Sequence, residues 1–128
     1  MNYGYFRITR KGNSYESGIN QLVKYYINEE NIYYDFGIKD GNLSALIKCL
    51  RCTDSLHILR LNDLGTRICD VVEALELLSY HNVRLYICNR EVFIPCTIML
   101  LRSKMNFFIN FDNYPELPAY MNNEFMKY

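Results

Sequence analysis

The chain has 128 residues, half of them hydrophobic, and its 14 Lys and Arg balance 14 Asp and Glu to a formal net charge of zero. This length fits one domain, and no apolar run approaches the roughly 18 residues that a membrane-spanning helix needs. A neutral chain lacks the clustered positive charge with which free-standing nucleic-acid-binding proteins attract phosphates. Any function on DNA therefore needs another source of affinity.

The amino terminus has neither the basic start nor the apolar stretch of a secretion signal, so we expect a cytoplasmic protein without membrane contact. The five cysteines, an odd number at irregular positions, argue against a disulfide framework. Cys49 and Cys52 form a C-x-x-C pair, but no second Cys or His pair follows at zinc spacing. There is also no glycine-rich nucleotide loop. We therefore predict reduced thiols, no metal and no cofactor.

In chain order, predicted strands alternate with predicted helices. Strands are predicted where aromatic and β-branched residues cluster, at 3–9, 32–36, 56–61 and 83–88. Helices are predicted where apolar residues recur at helical spacing, at 19–26, 43–50, 68–78 and 97–108. Pro115 and Pro118 stop the last helix from continuing.

This alternation, with short connections, predicts an α/β domain of three layers around a mainly parallel four-stranded sheet, in flavodoxin-like order. We assign residues 1–95 to this domain, and residues 96–128 to a C-terminal helix and an irregular aromatic tail that packs on the domain or on a partner. In such sheets the site lies beyond the carboxyl ends of the strands. Those ends bring Arg7, Thr9, the 62–67 loop and residues 88–90 to one rim.

An arginine and a hydroxyl residue two positions apart end the first predicted strand, at Arg7 and Thr9. Together with the polar loop after the third strand, they are suited to hold a phosphate. The plainer interpretation makes Arg7 an ion-pair partner and Thr9 a cap. The spacing alone leaves both interpretations open.

Several short segments, in the right order, resemble the catalytic domain of serine recombinases, the resolvase and DNA invertase family. Residues 3–9, Y-G-Y-F-R-I-T, resemble that family's opening strand, Y-x-R-V-S, and residues 60–66, R-L-N-D-L-G-T, resemble its most diagnostic stretch, K-L-D-R-L-G-R. Asn13, Ser14 and Leu22 keep the spacing of its Q-S and of its helix leucine. The resemblance covers about residues 2–87 and implies a resolvase-like fold.

In that family, a serine after the first strand attacks a DNA phosphodiester, and several arginines stabilise the transition state. By resemblance, the nucleophile position falls on Thr9 and the phosphate-stabilising arginine on Arg7. This sequence departs from the family's diagnostic motif at three positions, and an arginine one residue after the motif is a possible substitute cation. These positions are Asn62 for aspartate, Asp63 and Thr66 for two arginines, and Arg67 as the substitute.

These departures predict a degenerate member of the family. Each lost transition-state contact costs about 3 kcal/mol, and an acid at position 63 repels the phosphate. Thr9 adds a β-branched hydroxyl with restricted rotamers. Members of the family also continue into a long helix and a DNA-binding domain, whereas the proline-containing tail predicts neither.

The first function hypothesis is therefore a non-catalytic association or regulatory domain related to site-specific DNA recombination, forming a homo-oligomer such as a dimer through its C-terminal region. It would contact DNA weakly or together with a partner. The second is an active or weakly active recombinase domain of a mobile element, with Thr9 forming a phospho-protein link to DNA. The third is a domain that binds a small phosphorylated ligand at the rim.

Overall fold

The protein is described by a computed structural model over residues 1–8, 14–39 and 41–107. Within these residues the chain forms five strands and four α-helices. The strands are β1 (Asn2–Ile8), β2 (Ile32–Phe36), β3 (Ser55–Ile58), β4 (Arg84–Ile87) and β5 (Arg90–Val92). The helices are α1 (Tyr15–Lys24), α2 (Gly41–Cys49), α3 (Ile68–Tyr80) and α4 (Ile94–Phe107), and short 3-10 turns occupy Glu29–Asn31 and Leu61–Leu64.

The strands form one sheet in the order β2-β1-β3-β4-β5. The first four strands are parallel, and β5 pairs with β4 in the antiparallel sense. The order 2-1-3-4-5 is the one that flavodoxin-like domains adopt. The α/β class and the mainly parallel sheet predicted from the sequence are thus confirmed.

The predicted number of four strands is wrong, because a fifth strand lies at the sheet edge. Its three residues are too few to show an alternating pattern. Cys88 and Asn89 connect β4 to β5 and have φ angles of 49° and 65°. Two consecutive positive φ angles are typical of the type I′ turn that joins antiparallel strands. Neither residue is glycine, so the usual sequence signal of such a hairpin is missing.

Helices pack on both faces of the sheet. Tyr5 and Phe6 are both fully buried but belong to different clusters, as successive strand residues point to opposite faces. The larger cluster joins α2, α3 and α4 to β3 and β4, with Leu56 and Ile58 at its centre. The smaller cluster joins α1 to β1 and β2. None of the helices in the described ranges is long and apolar enough to cross a membrane.

Helix α4 starts earlier than predicted and crosses the boundary placed after residue 95. Pro95 is its second residue, where a missing N–H leaves no helical hydrogen bond unmade. Thr97 and Leu101 are fully buried, and Arg102 forms an ion pair with Glu76 of α3. Helix α4 therefore packs against α3. The aromatic tail, residues 108–128, lies outside the described residues.

Helix α1 approaches β1 closely because one of its residues has no side chain. A Cβ atom added to Gly18 would lie 2.4 Å from ring atoms of Phe6, and that ring is fully buried. Gly41, at the start of α2, has nothing within 4 Å of the same position. The two glycines therefore differ in packing, although both are helical.

We expect Gly18→Ala to lower the free energy of unfolding by about 1–3 kcal/mol, the usual cost of overpacking a buried contact. Gly41→Ala is the matched control and should leave stability unchanged or raise it by less than about 1 kcal/mol. Urea unfolding followed by circular dichroism measures both. Equal stabilities of the two variants would contradict the close approach of α1.

Candidate functional site

The side chain of Arg7 lies inside the protein at the carboxyl end of β1, with 1% of the residue exposed. Its Nη1 donates hydrogen bonds to the main-chain carbonyls of Gly37, at 2.8 Å, and Lys39, at 2.5 Å. Its Nε donates to the carbonyl of Asp63 at 3.2 Å. Arg7 thus ties the β2–α2 loop and the second 3-10 turn to the end of the first strand.

Asp63, in the segment that resembles the recombinase motif, also faces inward and is fully buried. One carboxylate oxygen accepts the N–H of Arg7 at 3.3 Å, and the other accepts the N–H groups of Leu59 and Arg60 at 3.1 and 3.0 Å. Burial raises the pKa of this carboxyl to about 6, although the Arg60 charge and the backbone donors lower it. Asp63 thereby fixes the 3-10 turn against the ends of β1 and β3.

Asp35, in β2, plays a corresponding role that sequence reasoning missed. Its carboxylate accepts the hydroxyl of Tyr5 at 2.7 Å and the N–H groups of Asn42 and Leu43 at 3.1 and 3.0 Å. The last two bonds satisfy free donors in the first turn of α2. Burial and the bond to Asp35 raise the pKa of the Tyr5 hydroxyl. A lone acid in an otherwise apolar and aromatic strand was the signal available in the sequence.

The other predicted site residues lie around the same edge. Arg67 is exposed and forms a bidentate ion pair with Asp70, at 3.0 and 3.1 Å. Thr66 and Asn62 are half-buried. Thr9, the predicted nucleophile position, lies outside the described residues. The structure therefore brings Arg7, Thr66 and Arg67 to one place, as expected for the carboxyl edge of the sheet.

A cavity of about 460 Å³ opens between α2 and α3 at this edge, and we call it the α2–α3 recess. Thr66 and Arg67 lie at its lining, and its apolar part is formed by Ile38, Leu43, Ile47, Leu64, Ala74 and Leu77. Four charged residues also line it, two of each sign: Arg7, Arg67, Asp70 and Glu73. The recess therefore offers no excess of positive charge to a phosphate.

No protein-family model matches the chain, and no curated protein matches it. The resemblance to serine recombinases accordingly rests on the segments quoted in the sequence analysis.

If Arg7 holds the fold together, its removal will destabilise the protein. We expect Arg7→Met to lower the free energy of unfolding by about 3 kcal/mol or more, because the carbonyls of Gly37, Lys39 and Asp63 lose a charged hydrogen-bond donor. Arg67→Met, which breaks an exposed pair, should cost less than about 1 kcal/mol. Chemical denaturation of both variants tests this, and unchanged stability of Arg7→Met would show that Arg7 is not structural.

Asp63 should make stability depend on pH. The pKa of this carboxyl rises from 3.8 to about 6 on folding, so between these values the folded protein binds more protons than the unfolded chain. The free energy of unfolding should therefore fall by about 3 kcal/mol as the pH rises from below 4 through 6. Asp63→Asn removes this titration, and the difference between wild type and variant across this range isolates it. A wild type that gains stability over the variant with rising pH would contradict the raised pKa.

Proposed function

We propose that the protein is a catalytically degenerate domain of serine recombinase type that acts through protein association and does not cleave DNA. The observation that carries this proposal is the state of Arg7. Its guanidinium is buried and donates to three main-chain carbonyls. A group that stabilises a phosphoryl transition state needs donors directed at the reacting oxygens, and three of the five guanidinium N–H donors of Arg7 are directed at the main chain instead.

The surrounding charges support the same proposal. Asp63 stands at a position where the family has an arginine, and it is buried beside the Arg7 main chain. Arg67, the substitute cation, is paired with Asp70. Since the α2–α3 recess holds equal numbers of positive and negative groups, neither DNA phosphate nor a small phosphorylated ligand gains net attraction there.

The retained framework supports kinship with the family. The 60–66 segment lies beside β1, so two of the segments that resemble the family are neighbours in the fold. A domain that keeps its framework and loses its catalytic cations retains surfaces for assembly. Association is therefore the function that this arrangement favours, and fold alone does not decide it.

The proposal predicts no covalent protein–DNA adduct. The protein is incubated with supercoiled DNA carrying its native flanking sequence, and adducts are sought on denaturing gels. We expect none for the wild type, and none for Thr9→Ser, which restores the family's nucleophile but not its arginines. We also expect no salt-dependent retention of DNA on filters, because the neutral chain lacks the electrostatic contribution.

Thr9→Ala is the control for the alternative recombinase activity. An adduct that forms with the wild type and is lost in Thr9→Ala would overturn the proposal. It would instead establish Thr9 as a working nucleophile.

A further inference from the structure

We propose that the α2–α3 recess is the interface of a two-fold symmetric dimer of this chain. The proposal rests on the association role proposed above and names the partner as a second copy of the same protein. It places the contact at this recess, whereas the sequence-based hypothesis placed it in the C-terminal region. In a two-fold interface the same surface patch of each copy contacts the other. The patch must therefore contain both partners of every contact, such as a projection and the hollow it fills, or a positive and a negative charge. The recess and its rim meet this condition in shape and in charge.

The shape is complementary because a projecting apolar side chain stands beside an apolar hollow. Ile38 is 83% exposed although it lines the recess, and Leu77 on the α3 side is 43% exposed. Leu43, Ile47 and Leu64 form the apolar floor. A single exposed apolar residue needs no explanation, whereas a projection and a hollow on one patch can fill each other across a two-fold axis.

The charges are complementary because the two helices beside the recess differ in sign. The only charged residue of α2 is Lys48, one helical turn from Ser44, which lines the recess. Between Ile68 and Tyr80, α3 carries three acids and no base. Asp70 and Glu76 are paired with arginines, but Glu73 lines the recess and forms no ion pair within the described part of the chain. The proposed two-fold axis passes through the recess and is placed so that Lys48 of each copy faces Glu73 of the other.

The first test measures oligomeric state by sedimentation velocity at about 100 µM, a concentration that populates even weak dimers. A reducing agent is present, because Cys49 and Cys52 are exposed near Lys48 and could link copies by oxidation. We expect a dimeric wild type and a monomeric Ile38→Asp, since the variant places a charge in the apolar hollow. Met99→Asp is the matched control: Met99 is 66% exposed on α4, away from the recess, and this variant should stay dimeric.

The second test exchanges the charges. Lys48→Glu and Glu73→Lys each replace two attractions by two repulsions and should raise the dissociation constant about tenfold. The double variant K48E/E73K should recover the wild-type constant. An equimolar mixture of the two single variants should also recover it, because a mixed dimer has both opposite-charge pairs restored. Thermal unfolding of each variant monitors folding independently.

A monomeric wild type would overturn the dimer, and if Ile38→Asp then lowered thermal stability, the hollow would be covered from within the same chain. A dimer that survives Ile38→Asp would overturn this surface as the interface. Failure of the mixed variants to associate would overturn the two-fold arrangement. The DNA-adduct assay separates these outcomes from the proposed function: an adduct overturns the non-catalytic role whether or not the protein dimerises.

Discussion

The carboxyl edge of the sheet depends on one buried guanidinium. Burying an unpaired charge costs several kcal/mol, so Arg7 must find a polar environment made by the protein itself. Carbonyls from two different connections provide it, and in return their own hydrogen-bonding capacity is satisfied. Asp63 anchors the 3-10 turn, and Asp35 anchors the start of α2. The connections between strands and helices are thereby held to the end of β1.

The same arrangement explains why structure and phosphoryl transfer compete at this edge. A catalytic arginine keeps donors free for the reacting phosphate and so maintains unsatisfied charge at a cost in stability. Here Arg7 makes three hydrogen bonds to the main chain, and an inward-facing acid occupies a position where the resembling family has a cation. Restoring an arginine at 63 would bury a second positive charge beside the first. An acid at position 63 thus favours the structural use of Arg7.

Local sequence patterns predicted most of the fold, because strand and helix periodicities depend on neighbouring residues. They missed β5, which is three residues long and follows a turn without glycine. They predicted that Arg7 and Asp63 lie on one rim, but they did not predict in which direction either side chain points. Those directions depend on the contact between Arg7 and Asp63, which are 56 positions apart in the sequence. The Tyr5–Asp35 hydrogen bond likewise joins residues 30 positions apart. No local pattern records such contacts, so the sequence did not predict the hydrogen bonds from Arg7 to the main chain.

The net charge of zero hides an uneven distribution of charged residues over the surface. Positive charge on α2 and negative charge on α3 flank one recess, so opposite signs cancel in the sum while remaining separated on the surface. A neutral chain experiences little long-range repulsion from a second copy. Short-range complementarity then decides which surfaces meet, and a patch with both signs and both a projection and a hollow is complementary to itself. The balance that removes attraction to DNA is therefore the same balance that favours the proposed self-association.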